Sequence, residues 1–243
     1  MADRKWYHCK IKISYRQEVL ILDNHVKWRK YLGLSLLLFA AFLLEYFALF
    51  VIEMLIMRMN IWDYTANERS VHHLIMVIIW TLYLCFIILY SRKHYDFPQK
   101  KEKTNISTKN WVVAASCLIF CKIMTFIDWH TLKIIGELQG KSVFQFILQY
   151  LYYIVEVGIV LLIIIYGQKA FDVRRNRESD FPFGGIVLAA TWGIFHFVSR
   201  GVGFEVWNGI SCAIFSILGG IMYLRLDKNF LYSYIFIAIG YLL

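Results

Sequence analysis

Between Tyr31 and Leu243 the sequence repeats one pattern seven times: an apolar run, then a short charged or polar segment. The runs are Tyr31–Met57, His72–Tyr90, Trp111–Trp129, Val143–Gln168, Phe183 to about Phe204, Val206–Leu224 and Asn229–Leu243. A helix crosses the roughly 30 Å hydrocarbon core with about 20 apolar residues, and the first six runs meet that length. The seventh has 15 residues, about 22 Å at roughly 1.5 Å per residue, and is expected to tilt into the bundle or sit where the bilayer thins. With 59% hydrophobic residues and a mean hydropathy of +0.54, no part reads as a separate soluble domain. The expected fold is an all-α polytopic transmembrane bundle of about seven spans. It divides into a basic arm over residues 1–30, a three-span region over 31–142 and a four-span core over 143–243.

Cations sort by loop. Alternate segments beginning with the N-terminal arm carry 20 of the 26 Lys and Arg, the intervening segments five, and Lys122 lies inside a span. By the positive-inside rule the N-terminus is expected in the cytoplasm and, after seven crossings, the C-terminus outside, as in a multi-pass cell-membrane protein. The apolar run after the arm is too long for a signal peptide and lacks a small-residue cleavage site. The net charge of +9 is then accounted for by loops facing anionic lipid, so the expected partner is the bilayer and not nucleic acid. Asn105-Ile-Ser matches a glycosylation acceptor but falls on the cytoplasmic side. The five cysteines, Cys9, Cys85, Cys117, Cys121 and Cys212, form no CxxC or zinc pattern, and they read as packing residues.

Polar residues inside spans are costly and mark function or helix contacts. In the fourth run, Gln145, Gln149, Tyr152 and Glu156 are spaced i, i+4, i+7, i+11 and share one helical stripe, while Val157–Ile165 has no side chain that hydrogen-bonds. Counted from the inner span ends, Glu156, Lys122, His196 and Glu45 lie 12 to 14 residues deep, about 18–21 Å at roughly 1.5 Å per residue. Four ionisable groups near one level suggest mutual compensation. Lys122 lies too deep to reach the inner surface, so it is expected to be neutral, solvated in a cavity, or paired, with Glu156 the best-matched partner in depth and Glu45 the second. Asp128, Gln145, Gln149, Tyr152 and Asn208 continue the polarity toward the outer face. With Glu45 and Lys122 they outline a candidate cavity, or else a set of interhelical hydrogen bonds. On the sixth run Asn208, Cys212, Ser216, Gly219 and Tyr223 share one side, where small residues allow close helix approach.

A carboxylate and an imidazole at one depth can activate water. Glu156 and His196 are therefore tentative catalytic residues, with side chains expected within about 6 Å, the range over which a charge acts on its neighbour. HExxH, G-x-S-x-G, a thiol–imidazole pair, a Walker motif and a glycine-rich phosphate loop are all missing, so no cofactor or metal is called for.

The half from about Tyr150 onward resembles the membrane endopeptidase family that includes type II CAAX prenyl proteases and Abi proteins (the CPBP/Abi family). Its Glu-Glu-x-x-x-Arg motif corresponds to Glu156, with Val157 and Leu161 in place of the second glutamate and the arginine. Its Phe-x-x-x-His is similar to Trp192-Gly-Ile-Phe-His196, followed by Arg200 and Gly201, and its third span resembles Ile217–Asp227. The family's final histidine has no counterpart, since no histidine follows His196. The resemblance implies a degenerate endopeptidase, a pseudoenzyme that binds a membrane peptide or protein partner in immunity or an accessory role. Two other classes stay open: a transporter or channel component using Lys122, Glu156 and His196 as a relay, and a structural subunit of a membrane complex.

Overall fold

The computed structural model describes residues 27–95, 105–198 and 204–243, which form helices and no strand. Most of the N-terminal arm, Cys9, part of the basic loop after the second run, and Arg200 with Gly201 lie outside the described residues. Five helices are long and apolar enough to cross a membrane: α1 (Lys27–Ile56), α2 (Ala66–Tyr95), α3 (Thr108–Trp129), α5 (Val143–Arg175) and α7 (Val206–Arg225). Two apolar helices are shorter, α6 (Phe183–Gly193) and α8 (Phe230–Leu242), and the six-residue α4 (Lys133–Leu138) joins α3 to α5. The chain is an integral-membrane helix bundle.

Local signals set the helix ends. Thr65 and Glu68 form a reciprocal cap at the start of α2, with Thr65 N donating to Glu68 Oε2 at 2.8 Å and Glu68 N to Thr65 Oγ1 at 3.2 Å. Ser142 and Gln145 do the same for α5. Ser107 caps α3 and Asn229 caps α8. Arg58, His130 and Asn176 take left-handed backbone angles just after α1, α3 and α5. Two stretches widen into π-helix, the last nine residues of α1 (Ala48–Ile56) and the last five of α6 (Ala189–Gly193). One carries Glu53 and the other Trp192, the two residues on which the polar clusters described below depend.

α5 is the axis. Every residue from Ile159 to Gln168 is buried, because α2, α6, α7 and α8 pack around it. That explains the Val157–Ile165 run: a helix apolar on all sides is one buried on all sides. α1 joins through Ser35 Oγ, which donates to Ile163 O at 2.9 Å. α6 crosses α5 at Gly184 and α7 at Gly185, where backbones nearly touch: a Cβ on Gly184 would lie 2.1 Å from Ile164 O, and one on Gly185 2.7 Å from Ser216 O. At that end of α5, Asp172 accepts from Lys228 Nζ at 2.7 Å and Ser179 N at 3.0 Å, tying the α5–α6 and α7–α8 connections together.

The fifth run departs from expectation. Its helix ends at Gly193 and His196 falls in a turn, with its N–H near the carbonyls of Trp192 and Gly193. Eleven residues rise only about 16 Å at roughly 1.5 Å each, so α6 alone is no full crossing.

Candidate functional site

Glu156 is 4% exposed in the N-terminal half of α5. Its carboxylate is held by two donors from different helices: Trp192 Nε1 reaches Oε1 at 3.3 Å, and the Tyr241 hydroxyl reaches Oε2 at 2.8 Å. Trp192 comes from the π-turn of α6 and Tyr241 from the last turn of α8. The other side of Trp192 carries His196, whose Nδ1 donates to Trp192 O at 2.8 Å and whose ring centroid lies 4.1 Å from the indole. Asn208 Nδ2 donates to His196 O at 2.8 Å, and Cys212 Sγ lies 3.8 Å from Asn208 Oδ1. Trp192 thus contacts both Glu156 and His196. A cavity of about 230 Å³ opens beside them, lined by Asp128, Trp192, His196, Asn208, Cys212 and Tyr241 among others. Glu156 is not part of its lining; it sits behind the indole and the phenol.

α4 closes one end of this pocket. Lys133 Nζ donates to Tyr241 O at 3.1 Å and lies over the rings of Tyr241 (4.2 Å) and Tyr153 (4.6 Å). The carbonyls ending α8 find donors too: Lys133 N to Leu243 O at 3.1 Å and Tyr150 hydroxyl to Leu242 O at 3.0 Å. Glu137 gathers Lys141 Nζ (2.5 Å), Gln149 Nε2 (2.5 Å) and the Tyr153 hydroxyl (2.8 Å). Burial alone would push its carboxyl up. The Lys141 ammonium and the hydrogen bonds from Tyr153 and Gln149 outweigh burial and hold it below the usual carboxylate range.

Behind α4 lies a second cavity of about 880 Å³. It shares the wall Trp129, Glu137 and Tyr153 with the first. Its floor is a cluster between α1 and α2: His72 Nδ1 is 2.9 Å from Glu53 Oε1, and His72 Nε2 is 3.4 Å from Glu45 Oε1. The Tyr64 hydroxyl donates to Glu53 Oε2. Burial, then that bond to the carboxylate, push the Tyr64 phenol up. Tyr152 packs over this group, 5.1 Å from the His73 ring and 4.7 Å from Trp80.

The residues singled out in the sequence therefore divide. Glu156, His196, Asn208 and Asp128 gather around the smaller cavity, with Asp128 at its exposed edge. Glu45, Gln145, Gln149 and Tyr152 line the larger one. The stripe on α5 splits because its members face different helices: Gln149 turns to Glu137, Tyr152 to α2, Glu156 to α6 and α8. Lys122 joins neither cavity. Its Nζ is buried without a hydrogen-bond partner, so the expected Lys122–Glu156 pair does not form; Trp192 and Tyr241 supply the carboxylate's donors instead.

Glu53, Tyr64, His72, Lys133, Glu137 and Trp192 take parts that the sequence reading did not assign to them. For two of these a signal existed: Glu45 and Glu53 are eight residues apart on one helix, and His72 opens the next apolar run. Among the described residues no group of three or more His, Cys, Asp or Glu is arranged to hold a metal ion. Comparison with protein-family models, with curated proteins and with solved structures finds no match to this chain.

Proposed function

We propose that this protein is a membrane-embedded binder of a membrane peptide, built on an arrangement like that of the CAAX-type endopeptidases but without their hydrolysis. The observation that carries this reading is the engagement of Glu156. Both carboxylate oxygens accept from side chains, and the group stands behind Trp192 and Tyr241 instead of lining the cavity. A general base must reach its proton over about 2.6–3.2 Å, and a water in the pocket meets the indole and phenol first. What remains open is an amphipathic recess of about 230 Å³, with room for a side chain or several waters at about 30 Å³ each.

The missing charged positions at Val157 and Leu161, and the missing last histidine, point the same way. The loop cations support an N-terminus in the cytoplasm of a cell membrane, and the pocket then opens toward the outer half of the bilayer.

The test uses the protein in lipid nanodiscs with a prenylated peptide ending in Cys-a-a-X. A photoreactive residue at Ser211, on the cavity wall, should crosslink to that peptide and be displaced by unlabelled peptide, while no cleavage product accumulates. Cleavage that vanishes in Glu156→Gln and His196→Ala would make the protein a working hydrolase. Absence of both crosslink and cleavage would sink the binding reading.

A further inference from the structure

The larger cavity holds charges that the Glu156 pocket does not use. Arg69 lines it from the first turn of α2, and among the described residues its guanidinium makes no hydrogen bond or ion pair. Glu45 lines it from α1 with a side chain 27% exposed, and its contact is the long one, 3.4 Å to His72 Nε2. Glu53 is the opposite case: 0% exposed, it takes His72 Nδ1 at 2.9 Å and the Tyr64 hydroxyl. His72 is shared by two carboxylates, and the shorter contact goes to Glu53. One imidazole carries at most one positive charge, so it cannot neutralise both, and Glu45 is the member of the group that faces the cavity.

Arg69 and His72 are three residues apart on one face of α2, about 4.5 Å along the axis. The cavity is thus lined by a guanidinium and a carboxylate from neighbouring helices, with the rings of Tyr64 and Tyr152 beside them. Its volume of about 880 Å³ falls in the ~300–1,000 Å³ range of small-ligand sites. A ligand that satisfies both charges carries an anion at one end and an ammonium at the other. A guanidinium fork suits a carboxylate in particular. Two or three extended residues, at about 3.3 Å each, cover the axial offset and the reach of the two side chains.

We propose that this cavity is a binding site for a short zwitterionic peptide, with its C-terminal carboxylate on Arg69 and its N-terminal ammonium on Glu45. The ammonium replaces His72 as the partner of Glu45, while His72 stays on Glu53. This site is distinct from the Glu156 pocket and does not depend on what that pocket binds.

Trialanine is the probe, titrated calorimetrically against the full chain in nanodiscs. It should bind, and both N-acetyl-trialanine and trialanine amide should bind at least tenfold more weakly. Arg69→Gln should weaken trialanine binding and abolish the discrimination against the amide, and Glu45→Gln should abolish the discrimination against the acetylated form. Glu156→Gln should leave the affinity unchanged, which separates this site from the smaller pocket. No binding of trialanine overturns the proposal, as does equal binding of the blocked peptides. Because the blocked peptides are compared on the unaltered protein, a variant that fails to fold leaves the test intact.

Discussion

His72 Nδ1 lies 2.9 Å from Glu53 Oε1, and this contact pins the π-helical end of α1 to the start of α2. Glu53 is fully buried, so removing the imidazole leaves a carboxylate that, among the described residues, has only the Tyr64 hydroxyl as a side-chain donor. Breaking a buried pair from one side costs about 3–5 kcal/mol. His72→Ala and Glu53→Ala are each expected to lower the unfolding free energy by that order, measured by chemical denaturation in micelles. The double variant should fall short of the sum by at least 1 kcal/mol, the ordinary range for coupled neighbours. Strict additivity would mean that the two groups do not stabilise each other.

Glu137 predicts an acid limb. Its folded carboxyl is held below the usual range, so its contribution to stability is complete above the unfolded value of about 4.3 and is lost as pH falls through the folded one. The thermal midpoint should be flat near neutrality with respect to this group and should drop in acid. Glu137→Gln should lower the midpoint at pH 7 and shallow the acid drop. If the two proteins differ by the same amount from pH 7 down to pH 3, Glu137 is not a source of the acid dependence.

Gly184 and Gly158 make a matched pair on the bundle axis. A Cβ on Gly184 would lie 2.1 Å from the Ile164 carbonyl oxygen, whereas one on Gly158 meets only Leu84 Cδ1 at 3.5 Å. Overpacking costs about 1–3 kcal/mol where neighbours can shift, and here the neighbour is backbone. Gly184→Ala should reduce the folded yield sharply, read as the monodisperse fraction after extraction, and Gly158→Ala should leave it near that of the unaltered protein. Equal yields would mean that α5 and α6 do not meet backbone to backbone at Gly184.

The apolar runs made the helical membrane fold legible, since run length and composition are set by the bilayer itself. The same signal is blind to which neighbour a polar face meets. Gln149, Tyr152 and Glu156 share a stripe on α5, yet each faces a different partner. Depth counting brought Glu156 and Lys122 to one level, but depth fixes one coordinate out of three, and the two groups do not pair. Trp192 read as a substituted phenylalanine, and only the π-turn at Ala189–Gly193 reveals that its indole N–H is turned onto Glu156. α4 was invisible because six residues carry too little periodicity to stand out from a loop.

Lys122 is the group whose removal should help. It lies in the C-terminal half of α3 with its Nζ buried and, among the described residues, without a hydrogen-bond partner to offset the loss of water around the amine. On insertion scales a lysine at a helix centre costs about 2.5–3.5 kcal/mol. Methionine keeps most of the stem and its packing while removing the polar end. Lys122→Met is therefore expected to raise the unfolding free energy by about 2 kcal/mol and to increase the amount inserted in the membrane. The variant also separates two roles for the amine. A lysine kept only as a helix-buried passenger gives a more stable protein with unchanged peptide crosslinking at Ser211, whereas a lysine that serves the smaller pocket gives a stable protein that has lost the crosslink. A fall in stability would show that Lys122 has a partner after all, and would revive its pairing with a carboxylate.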